Sequence, residues 1–395
     1  MIETTRRIDG PLTPHVDSWI GRRHVLDLDD FTRDEIESVF ATADRMHEVL
    51  ARPIRRVPAL RGRSIVNLFY EASTRTRVSF EMAAKNLGAD VINVSASGSS
   101  VEKGETLLDT VRTLRALGTQ VLVMRHKDAG APYIVAQHTD LAVVNAGDGM
   151  HAHPTQGLLD AYTIRLQFGG LDGLRILIVG DIAHSRVARS DAWALTKLGA
   201  EVTFCGPPTL LPFSGLSSGP GCSRSSADAI PWPVHVDHDL DRAIQGVDVV
   251  MPLRVQLERQ EGNRLSSLRA YARDYGIQTA RLARASERAI VMHPGPLNEG
   301  VEIEAEVAHG SQSVIQRQVT NGVAIRMAVL YLLVAGSAAQ PEIARSDSSP
   351  ILPSSNPPSA RSPAVRSLTD PLSTSDPSTS DPSSSDPSSN GRGAH

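Results

Sequence analysis

The stretch Ser64-Ile65-Val66-Asn67-Leu68-Phe69-Tyr70-Glu71-Ala72-Ser73-Thr74-Arg75-Thr76-Arg77 decides the architecture. It opens on an apolar, β-branched run ending at Tyr70. It then passes, without a glycine-rich loop, into a helical pattern with Val78, Met82 and Ala83 that stops near Gly88. A helix N-terminus presents unpaired N–H groups and a partial positive charge, and Ser and Thr hydroxyls with a guanidinium complete an anion cradle there. Taken alone, Ser-Thr-Arg reads better as an N-cap followed by a solvated charge. The rest of the chain has to decide.

Working outward, three more runs of the same kind follow: Asp90 to Ser95, Gln120 to Arg125 and Leu141 to Ala146, with helical stretches between them. Ahead of them, Asp29 to Leu50 has apolar residues at helical spacing and Thr32 as a plausible N-cap. After a helix-like segment around Leu158 to Phe168 comes a second set: Arg175 to Gly180, Glu201 to Gly206, Val247 to Leu253 and Ala289 to His293. Strands alternating with helices make parallel sheets. The expected fold class is α/β, with two tandem domains, each a parallel sheet flanked by helices, and a site in the cleft between them.

The expected divisions are an N-terminal extension over 1–23, a first domain over 24–157 and a second over 158–312. A C-terminal helix over 313–336 returns to the first domain. Within the second domain, residues from about 213 to 229 are rich in Ser, Gly and Pro and read as an insertion. The tail, 337–395, lacks aromatic residues and repeats a five-residue Ser-Asp-Pro unit, so it should be disordered.

Composition narrows the function. A formal net charge of −4 over 395 residues, with both signs interspersed, gives no broad basic face for nucleic acid. Two cysteines, Cys205 and Cys222, make neither a disulfide framework nor a zinc site. The apolar segment Gly322 to Gly336 is short and contains Arg326, which favours a buried helix over a membrane span. With no secretory signal pattern after Arg6 and Arg7, a cytoplasmic location is expected.

Polar residues collect where ligands bind in open α/β sheets. Arg125, His126, Asn145, Asp181, Arg254 and His293 all lie at or just past predicted strand ends. In His151-Ala152-His153-Pro154-Thr155-Gln156, the two histidines lack the partners of a metal site, and no metal is expected. A neutral His donating to a carbonyl, beside a Gln accepting from an amide, suits this segment better. The turn after Arg175 to Gly180 has only one of the glycines of a dinucleotide-binding loop, so no cofactor is expected.

Taken in order, the Phe69 to Arg77 block, Lys103-Gly104-Glu105-Thr106, Met124-Arg125-His126, His153-Pro154-Thr155-Gln156, Arg254-Val255-Gln256 and His293-Pro294-Gly295-Pro296 resemble the aspartate and ornithine carbamoyltransferase family over roughly His24 to Gly336. The last two blocks resemble its aspartate branch. The resemblance implies an enzyme making N-carbamoyl-L-aspartate and phosphate from carbamoyl phosphate and L-aspartate, early in pyrimidine synthesis. It implies that Ser73, Thr74, Arg75, Thr76 and Arg125 hold the phosphate, while His153 and Gln156 contact the carbamoyl group. Arg186, Arg254 and Gln256 would receive aspartate, with Pro294, Gly295 and Pro296 beside it. Ser99 and Lys103, on a loop over Ser95 to Glu105, would reach a neighbouring subunit's site in a homotrimer, leaving open association with a regulatory chain or a dihydroorotase. Arg77, Glu105, His184 and Arg189 are given structural or solvated roles.

Overall fold

The computed structural model describes residues 17–95, 104–211, 233–256 and 267–338. The tail beyond 338, the insertion over 213–229, Ser99 and Lys103 lie outside the described residues, as do residues 1–16 of the N-terminal extension.

Ten strands form two sheets among the described residues. The first sheet holds β1 (His24–Val25), β2 (Ser64–Phe69), β3 (Asp90–Ser95), β4 (Val121–His126) and β5 (Ala142–Asp148) in the order β1-β5-β4-β2-β3. The second holds β6 (Arg175–Val179), β7 (Glu201–Cys205), β8 (His235–Asp237), β9 (Val249–Pro252) and β10 (Ile290–Val291) in the order β10-β9-β6-β7-β8. Every neighbouring pair of strands is parallel. The fold is two tandem α/β domains, each with one five-stranded parallel sheet.

The helices are α1 (Arg33–Leu50), α2 (Thr74–Asn86), α3 (Leu107–Ala116), α4 (Ala131–His138), α5 (Pro154–Phe168), α6 (Arg186–Lys197), α7 (Leu240–Ala243), α8 (Leu268–Tyr275), α9 (Thr279–Leu282), α10 (Ala305–Ala308) and α11 (Ile315–Ala338). Thr32 caps α1 in a full capping box: its hydroxyl accepts from the Glu35 N–H while the Glu35 carboxylate accepts from the Thr32 N–H. Such a cap contributes about 0.5–2 kcal/mol. α11 is apolar along most of its length and packs against α1, α2 and α5, where Ala324, Ile325, Ala328 and Leu332 are buried.

Several expectations are corrected. The folded chain starts before His24: Trp19 is fully buried, packs edge-on against Phe31 and donates its indole N–H to the Glu35 carbonyl. One aromatic residue without periodic neighbours carries no pattern signal. A domain break after residue 157 falls inside α5, because Pro154 supplies the first helical residue and extends the helix to four residues before Leu158. Strands β1 and β8, two and three residues long, are too short to show alternation.

Both sheets reverse strand order at one place, and those places face each other. In the first sheet the chain runs from β2 to β3 on one side and returns to β4 on the other; in the second it leaves β6 for β7 and β8 and returns to β9. Ligands bind at such switch points, beyond the carboxyl ends of the strands. The ends of β2 and β4 carry Ser73 and Arg125; those of β6 and β9 carry Arg186 and Arg254.

Candidate active site

A cleft of about 1250 Å³ opens between the two switch points. From the first domain it is lined by Ser73, Thr74, Arg75, Thr76, Arg125, His153 and Gln156. From the second it is lined by Arg186, Arg254, Gln256, Pro294, Gly295 and Pro296. Every expected site residue among the described ones therefore meets in one cavity.

Three helices point their N-termini at this cleft. Ser73 caps α2, its hydroxyl accepting from the Thr76 N–H at 3.4 Å; Ser185 caps α6 by accepting from the Ala188 N–H at 3.2 Å. His153 occupies the N-cap position of α5, with its own N–H donated to the Ser190 hydroxyl at 2.9 Å. The remaining amides of the first turns, together with the helix dipoles, favour anions there. Side-chain charge adds to this: Arg75, Arg125, Lys127, Arg186 and Arg254 face two carboxylates, Glu71 and Asp128.

Glu71 is the site residue that sequence reasoning left unassigned. Its carboxylate accepts from Arg125 Nη2 and from both terminal nitrogens of Arg186, at 2.6 and 3.1 Å. Glu71 thus holds two of the cleft arginines, Arg125 and Arg186. Arg125 also donates to the Ala146 carbonyl, and Arg186 to the Gly149 carbonyl, at 3.2 and 3.1 Å. Gly147 makes the approach of the two guanidiniums feasible, since a Cβ there would stand 3.0 Å from atoms of both. A signal was present, since Glu71 directly follows a strand end on the cleft edge, but its partners lie on different elements.

Burial sets the protonation of His153. The ring is 4% exposed, and desolvation, followed by the positive charges of Arg125, Arg186 and Arg326, holds its pKa well below the usual histidine value. It is therefore a neutral hydrogen-bonding group. Burial likewise lowers the pKa of Arg75, which nevertheless remains a cation, and its Nη1 donates to the Pro294 carbonyl.

His151 and His153 take different partners: His151 pairs with Asp148 at 3.2 Å, on the far side of the turn. His184 is not a solvated helix-start residue either. It is buried and shares a 2.6 Å hydrogen bond with Asp181, whose other oxygen accepts from the Gln256 N–H at 3.3 Å. This pair fixes the turn that carries Gln256 into the cleft.

Fold and cleft together define an α/β enzyme that seats anionic reactants between two domains. The carbamoyl-phosphate-binding domain model of the aspartate/ornithine carbamoyltransferases matches residues 23–166, and the aspartate/ornithine-binding domain model matches 172–333. The chain belongs to the aspartate/ornithine carbamoyltransferase family. It is 57% identical over 311 residues to the aspartate carbamoyltransferase catalytic subunit of Chloroflexus aggregans, covering 78% of this chain and 97% of that one. Among solved structures it resembles aspartate transcarbamoylase from Trypanosoma cruzi in complex with carbamoyl phosphate and aspartate. That match has a TM-score of 0.71 and 30% identity, over 82% of this chain and 99% of that one. The same enzyme in complex with N-(phosphonacetyl)-L-aspartic acid matches with a TM-score of 0.70 and 30% identity, over 82% and 98%.

Proposed function

We propose that this cleft transfers the carbamoyl group of carbamoyl phosphate to the amine of L-aspartate, giving N-carbamoyl-L-aspartate and phosphate. The observation that carries the reading is the meeting, in one cationic cavity, of a capped-helix anion cradle from the first domain and a separate arginine pair from the second. The two substrates bring a phosphate and two carboxylates, and forked guanidiniums suit both.

In this reading Ser73, Thr74, Arg75, Thr76 and Arg125 hold the phosphate. Gln156 accepts from the carbamoyl amide, and Arg186, Arg254 and Gln256 hold aspartate beside Pro294 to Pro296. Attack of the neutral amine on the carbamoyl carbon forms the C–N bond and builds negative charge on the carbonyl oxygen, where Thr76, Arg125 and neutral His153 donate. The C–O bond to phosphate then breaks, and the departing phosphate takes the amine proton. Positioning and preorganised charge supply the rate.

The active unit is proposed as a homotrimer in the cytoplasm, working early in pyrimidine synthesis, with Ser99 and Lys103 reaching a neighbour's site. Support for a covered face comes from β3, an edge strand with Ile92 52% exposed, and from Val78 and Met82 on adjacent α2, each 45% exposed. Exposed apolar edges are normally covered. Native mass in a cell extract reads the trimer and any regulatory chain or dihydroorotase bound to it. Purified protein supplied with carbamoyl phosphate should form carbamoyl-aspartate from aspartate and little citrulline from ornithine. The reverse preference overturns the assignment.

A further inference from the structure

Behind the cleft, α5 and α6 bury two carboxyl groups against each other. Asp160 and Asp191 are both fully buried, on helices that pack together, close enough for their carboxyl groups to interact. Asp160 is well supplied with donors: Gln156 Nε2 reaches both its oxygens at 3.1 Å and Gln318 Nε2 reaches one at 2.7 Å. Asp191 is not. Among the described residues, neither of its oxygens meets an N–H or hydroxyl donor.

Two carboxylates in contact in a dry interior cannot both be ionised, and a carboxylate without donors is the one that must carry the proton. Asp160 then keeps the single negative charge, facing the buried guanidinium of Arg326 on α11. The consequence reaches the cleft. An anionic Asp160 only accepts, so it commits the Gln156 amide nitrogen inward and leaves the Gln156 oxygen for the cavity. Gln318 extends the chain to the other domain: its oxygen accepts from the His293 N–H at 2.9 Å, and His293 in turn accepts from the Gly295 N–H at 2.7 Å.

We propose that Asp191 is held as a neutral carboxylic acid donating to Asp160, and that this acid pair is the positioning element that orients Gln156 and, through Gln318, the His293 to Pro296 segment. Asp191 touches no substrate. It acts through Asp160, and the inference rests on the proposed carbamoyl transfer only for its kinetic consequence.

Two measurements on the full chain test it. Infrared difference spectra of wild type against Asp191→Asn at neutral pH should show the carbonyl band of one protonated carboxyl, lost in the variant. In kinetics, Asp191→Asn, whose amide donates to Asp160 in the same sense, should rescue what Asp191→Ala loses. The alanine variant should fall roughly 10- to 100-fold in kcat, as expected for a misplaced contact group. Absence of the protonated band, or an asparagine variant as impaired as alanine, overturns the proposal. If alanine fails to fold, the band and the asparagine kinetics still decide. If wild type makes no carbamoyl-aspartate, the functional reading falls, while the infrared result judges the acid pair separately.

Discussion

Arg186, the first residue of α6 in the second domain, donates through Nη2 to Glu71 Oε1 at 2.6 Å, across the cleft to the end of β2 in the first. The contact joins the domains within the cleft. Glu71 also receives Arg125, so a single carboxylate compensates two guanidiniums that are 10% and 6% exposed. Its carboxylate therefore sets the geometry of one ligand from each half of the site.

Replacing Glu71 by Gln leaves those two cations repelling each other with half the acceptors gone. Losing a part-buried acceptor of charged donors costs about 1–3 kcal/mol. The competing effect is release of Arg186 for substrate, but an arginine without its anchor pays ordering entropy when it binds, so loss of preorganisation wins. The expected result is a fall in kcat/KM for aspartate of roughly 10- to 100-fold, measured in steady state. An unchanged value would show that Glu71 is a passive counter-ion.

Gly295 sits at φ +64, a conformation that costs an L-residue roughly 1–2 kcal/mol, and a Cβ there would land on the Arg75 guanidinium. The guanidinium is flexible enough to move, so the fold should survive Gly295→Ala with only modest destabilisation. The cost should appear in function: Arg75 is displaced from the phosphate cradle, raising KM for carbamoyl phosphate by about 10-fold or more. A variant that unfolds earlier on heating yet keeps its KM would limit the glycine to backbone relief.

The pH dependence of His153 follows from its depressed pKa. The unfolded chain binds a proton near 6.5 while the folded ring resists it. Stability should therefore fall as pH drops below 6.5 toward the folded value, and this loss should be absent in His153→Gln. Asp27, raised to about 6 by burial, and the buried Asp160–Asp191 pair, whose protonation burial also favours, act in the opposite sense as pH falls, so the comparison of wild type with variant isolates the histidine. Ring nitrogen shifts should report a neutral imidazole at about pH 6. A ring titrating near its ordinary value would remove it as a neutral donor.

What the sequence reveals and what it hides divides along locality. Ser73, Arg125, His153 and Arg254 could be placed because each sits within a few residues of a strand end or helix start, where pattern and cap chemistry act together. Glu71 could not be given its role, since its partner Arg186 is 115 positions away and the contact exists only once the two domains fold side by side. Asp160, Asp191 and Gln318 are polar residues on buried helix faces, where amphipathic spacing reports only their neighbours. Trp19 and the strands β1 and β8 are anchored by tertiary contacts and pairing rather than by any periodic run.

Subunit sharing has a test independent of mass. Arg75 lies in the first turn of α2, and the exposed Val78 and Met82 follow it on the same helix, so the phosphate cradle borders the face proposed to meet a neighbour. If Lys103 acts in the adjoining subunit's site, Lys103→Ala and Arg75→Ala each inactivate homotrimers, but in different sites of a mixed one. A site built from the intact cradle of one subunit and the intact loop of the next is whole. Mixing the two inactive proteins in equal amounts under conditions of subunit exchange should restore activity to about one quarter of the sites on random assembly, one site in each mixed trimer. Exchange verified by mass without recovery would place Lys103 in its own subunit's site.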